Sequence, residues 1–244
     1  MAAAMVAALR WVTVAVPAMV LALSCVAVGL TAIGSAAGLF SLPPPLALLN
    51  ERLHTVFPLH MVTGGLGLVL LPLVLLLRRR AAWHRPLGRI AAALLLAAAV
   101  TGLPSGLLSE ATGAARAGFA MQALLCGAFV ALGWRAIRAR DAACHARWML
   151  RAAAVVSGVL WLRLAMPAAV GLWPWLSFDD AYAGIAWGSW SLPLAVVLLV
   201  QWRHRPGPGA GLRRPMDQLA VIRTSGFGTV QQAPSASMKT TQSR

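Results

Sequence analysis

Arg78-Arg79-Arg80-Ala81-Ala82-Trp83-His84-Arg85-Pro86-Leu87-Gly88-Arg89 separates two uncharged apolar runs, 57–77 and 90–108. Each run has about the 20 residues needed to cross a ~30 Å hydrocarbon layer as a helix. A cluster of arginines between two such runs reads as the turn of a membrane hairpin. It sits at the headgroups, where cations are tolerated and hydrocarbon is left behind. Working outward, further runs cover 11–33, 117–134, 152–172 and 183–202. The fold class is therefore an all-α polytopic membrane protein, a bundle of six transmembrane helices.

Composition agrees. Of the 244 residues, 59% are hydrophobic and 11% charged, against about a quarter charged in a soluble domain. The net charge of +15 does not make a nucleic-acid surface, because the basic residues are dispersed over short loops and form no basic face. No nucleic-acid partner is expected; the partner is the lipid bilayer. Cys25, Cys126 and Cys144 show neither a disulfide framework nor zinc spacing.

The charge does set an orientation. Every Lys and Arg except Arg52, Arg116 and Arg163 falls on Arg10, the loops 78–89 and 135–151, or the tail from 203 on. Glu51, Glu110, Asp179 and Asp180 fall on the opposite side. The positive-inside rule puts the basic side, and with it both termini, in the cytoplasm. The run 11–33 competes with a signal peptide, but it exceeds the ~7–15 apolar residues of a signal core, so a retained first span is expected. Pro43-Pro44-Pro45 predicts an extended segment in the first loop. The transmembrane domain covers 1–202. Residues 203–244, rich in Pro, Gly, Ser, Thr and Gln, predict a disordered basic cytoplasmic tail.

The motifs resemble a known family. Phe57-Pro58-Leu59-His60 followed by Gly64 and Gly67 resembles the opening of the bacterial membrane family catalogued as domain of unknown function 2306. His84-Arg85-Pro86-Leu87-Gly88-Arg89 resembles its HRxLGR hinge. His145-Ala146-Arg147-Trp148-Met149-Leu150-Arg151 resembles its HxxWMxR motif. Gly118-Phe119, Arg163 with Pro167, and Trp187 with Trp190 also fit. The stretch Leu70-Leu71-Pro72-Leu73 departs from it, being apolar where the family often carries a polar residue. The resemblance implies the architecture over roughly 50–202 and a bacterial cytoplasmic (inner) membrane, and it supplies no activity.

Three functions are open on the residues. His84 and His145 both precede spans at the basic side. Two neutral imidazoles on different helices could be the axial metal ligands of a b-type haem, with Arg85, Arg89 and Arg147 near its propionates. The bland alternative is that these side chains cap loops and meet lipid headgroups. Arg163 lies about eleven residues, or ~17 Å, into its run. An arginine there costs at least ~2.5 kcal/mol on insertion scales and marks a site by default. With His60 it could form a clamp for an anion or other small molecule; a structural arginine near the break at Pro167 is the alternative. The glycines after His60 would admit a flat cofactor such as haem or a quinone, or simply another helix. Third, the bundle could be a ligand-free assembly protein with a membrane-protein partner.

Overall fold

The computed structural model describes Thr13, residues 15–172, Trp175 and residues 177–204. Eight α-helices follow in order among the described residues: α1 (Val16–Ala36), α2 (Pro44–Arg52), α3 (Val56–Leu76), α4 (Ala81–Leu107), α5 (Gly113–Arg138), α6 (Ala142–Val156), α7 (Gly158–Leu172) and α8 (Phe178–Arg203). A 3₁₀ turn, Leu77–Arg79, continues α3. There is no strand among them. Six helices are long and apolar enough to cross a membrane: α1; α3 with its 3₁₀ turn; α4; α5; α6 with α7; and α8. In hydrocarbon each backbone amide must bond within its own segment, which these sequences achieve as helices. Most of the expected tail, and the first residues of the expected first span, lie outside the described residues. The architecture below is that of the unit ending at Gln201.

The boundaries depart from the apolar runs in a consistent way. Span three begins at Ala81 rather than 90, and span five at Ala142 rather than 152. The basic hinges are therefore the first turns of helices. Hydropathy marks the length in oil, whereas backbone hydrogen bonding continues into the headgroup layer. The first loop is also corrected. It contains a helix starting at Pro44, with Pro43 extended at ψ 149° just before it. A proline in the first helical turn lacks only an amide hydrogen that would have had no partner there.

Two turns close by the same device. At the end of α1, Gly38 takes φ 75°, with Leu39 N–H on the Gly34 carbonyl and Gly38 N–H on the Ser35 carbonyl. At the end of α5, Arg140 takes φ 61°. There Asp141 N–H reaches Ala136 and Arg140 N–H reaches Ile137. Both are Schellman closures, which favour glycine at the left-handed position. Asp141 then caps α6, its Oδ1 accepting from Cys144 N–H at 2.8 Å.

Successive helices pack side by side from α3 to α6, with α1 against α3. Close backbone approach sets two of these contacts. A Cβ on Gly65 would lie 2.6 Å from the Gly29 carbonyl oxygen, and one on Gly29 would lie 2.6 Å from that of Gly65. The second-span glycines thus receive helices: α1 at Gly65, and Leu95 of α4 at Gly67. One core joins Ala92, Leu95 and Ala99 of α4, Cys126 and Val130 of α5, Ala152 and Val155 of α6, and Trp190 and Leu194 of α8. A smaller one joins Cys25, Leu68 and Leu160 of α1, α3 and α7. The buried hydroxyls of Thr63, Thr101 and Ser105 each donate to a carbonyl four residues back on their own helix, so they cost no unmade bond in oil.

Candidate functional site

The basic hinges turn out to be joints. His84 Nδ1 lies 3.1 Å from the Val74 carbonyl of α3. His145 Nδ1 lies 2.9 Å from the Gly133 carbonyl of α5. A carbonyl can only accept, so each Nδ1 is the protonated donor. Each imidazole fastens the foot of its own helix to the helix before it. Gly133 takes the rest of the second motif as well. A Cβ there would meet Met149 Sδ at 2.7 Å and Trp148 Cβ at 3.5 Å. Trp148 leans on Phe129, with ring centroids 5.6 Å apart. Arg151 stacks over Trp148 at 4.4 Å, and its Nε donates to Gln201 Oε1 of α8 at 2.8 Å. Gln201 Nε2 in turn donates to the Arg147 carbonyl. The motif residues tie spans four, five and six together at one end.

The haem expectation finds no support in this arrangement. The two rings are fixed to different helices, His84 to α3 and His145 to α5. The packed core on α4 to α6 includes Val130 and Val155, both 0% exposed. Among the described residues no group of three or more His, Cys, Asp and Glu could hold a metal ion. The two histidines each bond a carbonyl near the end of the preceding helix, as the capping alternative expects. Arg85, Arg89 and Arg147 are exposed.

His60 is seated differently. Its Nδ1 donates to the Ala98 carbonyl of α4 at 2.9 Å. The ring lies over Gly102, where a Cβ would come within 2.8 Å of its Cε1. Glycine at 102 is what admits the imidazole.

The fifth span is interrupted near its middle. Ser157 ends α6, its Oγ donating to Ala154, and α7 starts anew at Gly158. Gln122 of α5 donates to the Val155 carbonyl at 3.0 Å, just before the break. Gly158 admits both Gln122 and Trp190: a Cβ would lie 2.7 Å from Gln122 Nε2 and 2.8 Å from Trp190 Cβ. Trp190 is 5% exposed and its buried indole N–H has no partner. The neighbouring Trp187 does find one, the Ala114 carbonyl at 2.9 Å. Gln122 escaped the sequence reading because one amide in an apolar run perturbs no periodicity. The available signal was that an amide inside a span usually bonds to a neighbouring helix.

Arg163 stands on α7 about six residues, or ~9 Å, before the span ends at Ala169. Its Nη1 donates to the Val159 carbonyl, one turn back, at 3.1 Å. The side chain therefore runs away from the near end of the span. The residue is exposed in the isolated bundle, and Tyr182 of α8 lies within range of its charge. Tyr182 is held between Phe119, edge-on at 5.7 Å, and Phe178, stacked at 5.7 Å. His60 and Arg163 are not joined: the first is bound to Ala98 and the second to Val159. No bond joins the two among the described residues, and the aromatic group around Tyr182 lies within range of the Arg163 charge.

A six-span helical bundle with joints at the family motifs defines a multi-pass membrane protein. The chain belongs to the family described as Predicted membrane protein (DUF2306), whose model matches residues 57–201. Span one precedes the matched residues, yet it packs on them at Gly65. No curated protein and no solved structure matches the chain.

Proposed function

We propose that the protein binds a small organic anion within the membrane and moves it across, with Arg163 as the receiving cation. The observation that carries this is the guanidinium directed back along α7, with no carboxylate on it among the described residues. An intramembrane arginine costs too much to keep for packing alone. Tyr182, Phe119 and Phe178 supply a hydroxyl and apolar walls suited to the body of an aromatic or alkyl carboxylate. The interrupted fifth span, with Gln122 donating to the Val155 carbonyl beside the break, supports movement, since broken helices are where transporters put their sites. In this proposal the arginine-rich end faces the cytoplasm of a bacterial inner membrane.

The test uses phenylacetate and its neutral isostere phenylacetamide on the detergent-purified protein. At ten times its dissociation constant a ligand adds about 1.4 kcal/mol, or roughly 3–6 °C in midpoint for a domain this size. Phenylacetate should raise the melting midpoint and phenylacetamide should not. Arg163→Gln should lose the response while remaining inserted, and Arg163→Lys should keep part of it. Equal shifts from the acid and the amide, or an unchanged response in Arg163→Gln, defeat the proposal.

A further inference from the structure

A groove of about 330 Å³ runs between α4 and α5, lined by Arg89, Ala92, Ala93, Leu96, Ala131, Trp134 and Arg135. On α4 the lining residues recur at i, i+3, i+4 and i+7, and on α5 at i, i+3 and i+4, so each set is one face of its helix. The helices run in opposite directions. Arg89 and Arg135 therefore stand together at the mouth, while Leu96 and Ala131 lie deeper.

The mouth falls at the lipid interface. α4 has 27 residues, about 40 Å, against a hydrocarbon layer of ~30 Å. Its first turns must stand outside the oil, which puts Arg89 near the boundary. Trp134, half exposed beside it, is the residue type favoured at that depth. Below the mouth the walls are methyl groups, and 330 Å³ is near the lower end for small-molecule pockets. Such a volume suits one narrow chain better than a bulky ring.

Charge identifies the occupant. Among the described residues neither the Arg89 nor the Arg135 guanidinium is in a hydrogen bond or ion pair. The surrounding end carries Arg78, Arg79, Arg80, Arg85, Arg138, Arg140, Arg147 and Arg151 against one acid, Asp141, which is occupied in capping Cys144. Two uncompensated cations over an apolar slot match an anionic head on a hydrocarbon tail. We infer that this groove binds one anionic phospholipid, its phosphate bridged by Arg89 and Arg135 and one acyl chain lying along Ala92, Ala93, Leu96 and Ala131. A specific site differs from general attraction to a basic surface in using these two arginines and not their neighbours. It lies at the opposite end of the bundle from Arg163, so either proposal can fail without the other.

The experiment is native mass spectrometry of the delipidated full chain with phosphatidylglycerol or phosphatidylcholine. Each arginine at the interface contributes roughly a fivefold preference for the anionic lipid, and the pair about thirtyfold. Arg89→Gln with Arg135→Gln should bring the two lipids to equal affinity. Arg78→Gln with Arg79→Gln should leave the preference intact. Ala131→Leu, which fills the slot and keeps both arginines, should weaken phosphatidylglycerol adducts at least fivefold; far-ultraviolet ellipticity checks that each variant is folded. Equal loss in the Arg78/Arg79 pair means diffuse attraction and overturns the site. Full displacement by inorganic phosphate at equal concentration means a free-anion site and overturns the lipid assignment, as does an unchanged preference in the Arg89/Arg135 pair.

Discussion

Gly65→Ala puts a methyl carbon 2.6 Å from the Gly29 carbonyl oxygen and 2.8 Å from Ile33 Cγ1. The first contact is with backbone, which cannot turn aside, so α1 and α3 must move apart. Overpacking of this kind costs about 1–3 kcal/mol. Gly29→Ala makes the reciprocal clash with the Gly65 carbonyl oxygen and should cost the same. Because the two replacements widen one gap, the second costs less once the first is present. The double variant should fall short of the sum by about 0.5–3 kcal/mol. Reversible unfolding in mixed nonionic and anionic micelles, followed by far-ultraviolet ellipticity, gives all three values. Gly184→Ala is the control: nothing lies within 4 Å of a Cβ there, and removing a helical glycine should be neutral or stabilising by up to ~1 kcal/mol. The close crossing is refuted if both single variants stay within about 0.5 kcal/mol of the parent, or if their costs add.

Arg140→Gly should stabilise the protein by about 1 kcal/mol in the same unfolding assay, because φ 61° strains any residue with a Cβ; a loss of stability counts against this. Trp187→Phe removes the bond to Ala114 and should cost about 1 kcal/mol; a variant as stable as the parent rejects the bond. Gly102→Ala should expel the His60 ring and destabilise by about as much as His60→Ala, and adding His60→Ala to it should cost little more; strict additivity of the two would rule out the seat. A membrane-impermeant maleimide should label half-buried Cys144, while Cys25 and Cys126, 5% and 8% exposed, stay unmodified. Labelling of Cys144 in inside-out vesicles and not in right-side-out ones is expected, and the reverse would invert the orientation.

The spans were legible because oil leaves a coarse signature: long uncharged runs punctuated by arginine. Their ends were not, since helix geometry outlasts hydrophobicity, as at Ala81 and Ala142. Pro44 was misjudged because three consecutive prolines say extended, while the last two also suit a first helical turn. His84, His145 and Trp148 stood out in the sequence as motif residues at helix entrances, but their geometry was not readable. A histidine at the foot of a span is equally a ligand or a joint until the carbonyls of Val74 and Gly133 are in view. Arg163 announced itself by cost alone. Its neighbour Tyr182, nineteen residues on in the chain, could be found only once α7 and α8 were folded.

One regularity reaches beyond this chain. His60, His84, Gln122, His145, Trp187 and Gln201 each cross to another helix, and each ends on a backbone carbonyl: Ala98, Val74, Val155, Gly133, Ala114 and Arg147. The accepting oxygen is there whatever side chain its residue bears. A change at the donor breaks the link, whereas a change at an acceptor other than Gly133 keeps the accepting oxygen. Contacts of this one-sided kind leave no trace of paired substitution as a lineage drifts, so methods that infer proximity from correlated change are blind to the bonds that lock these helices in register.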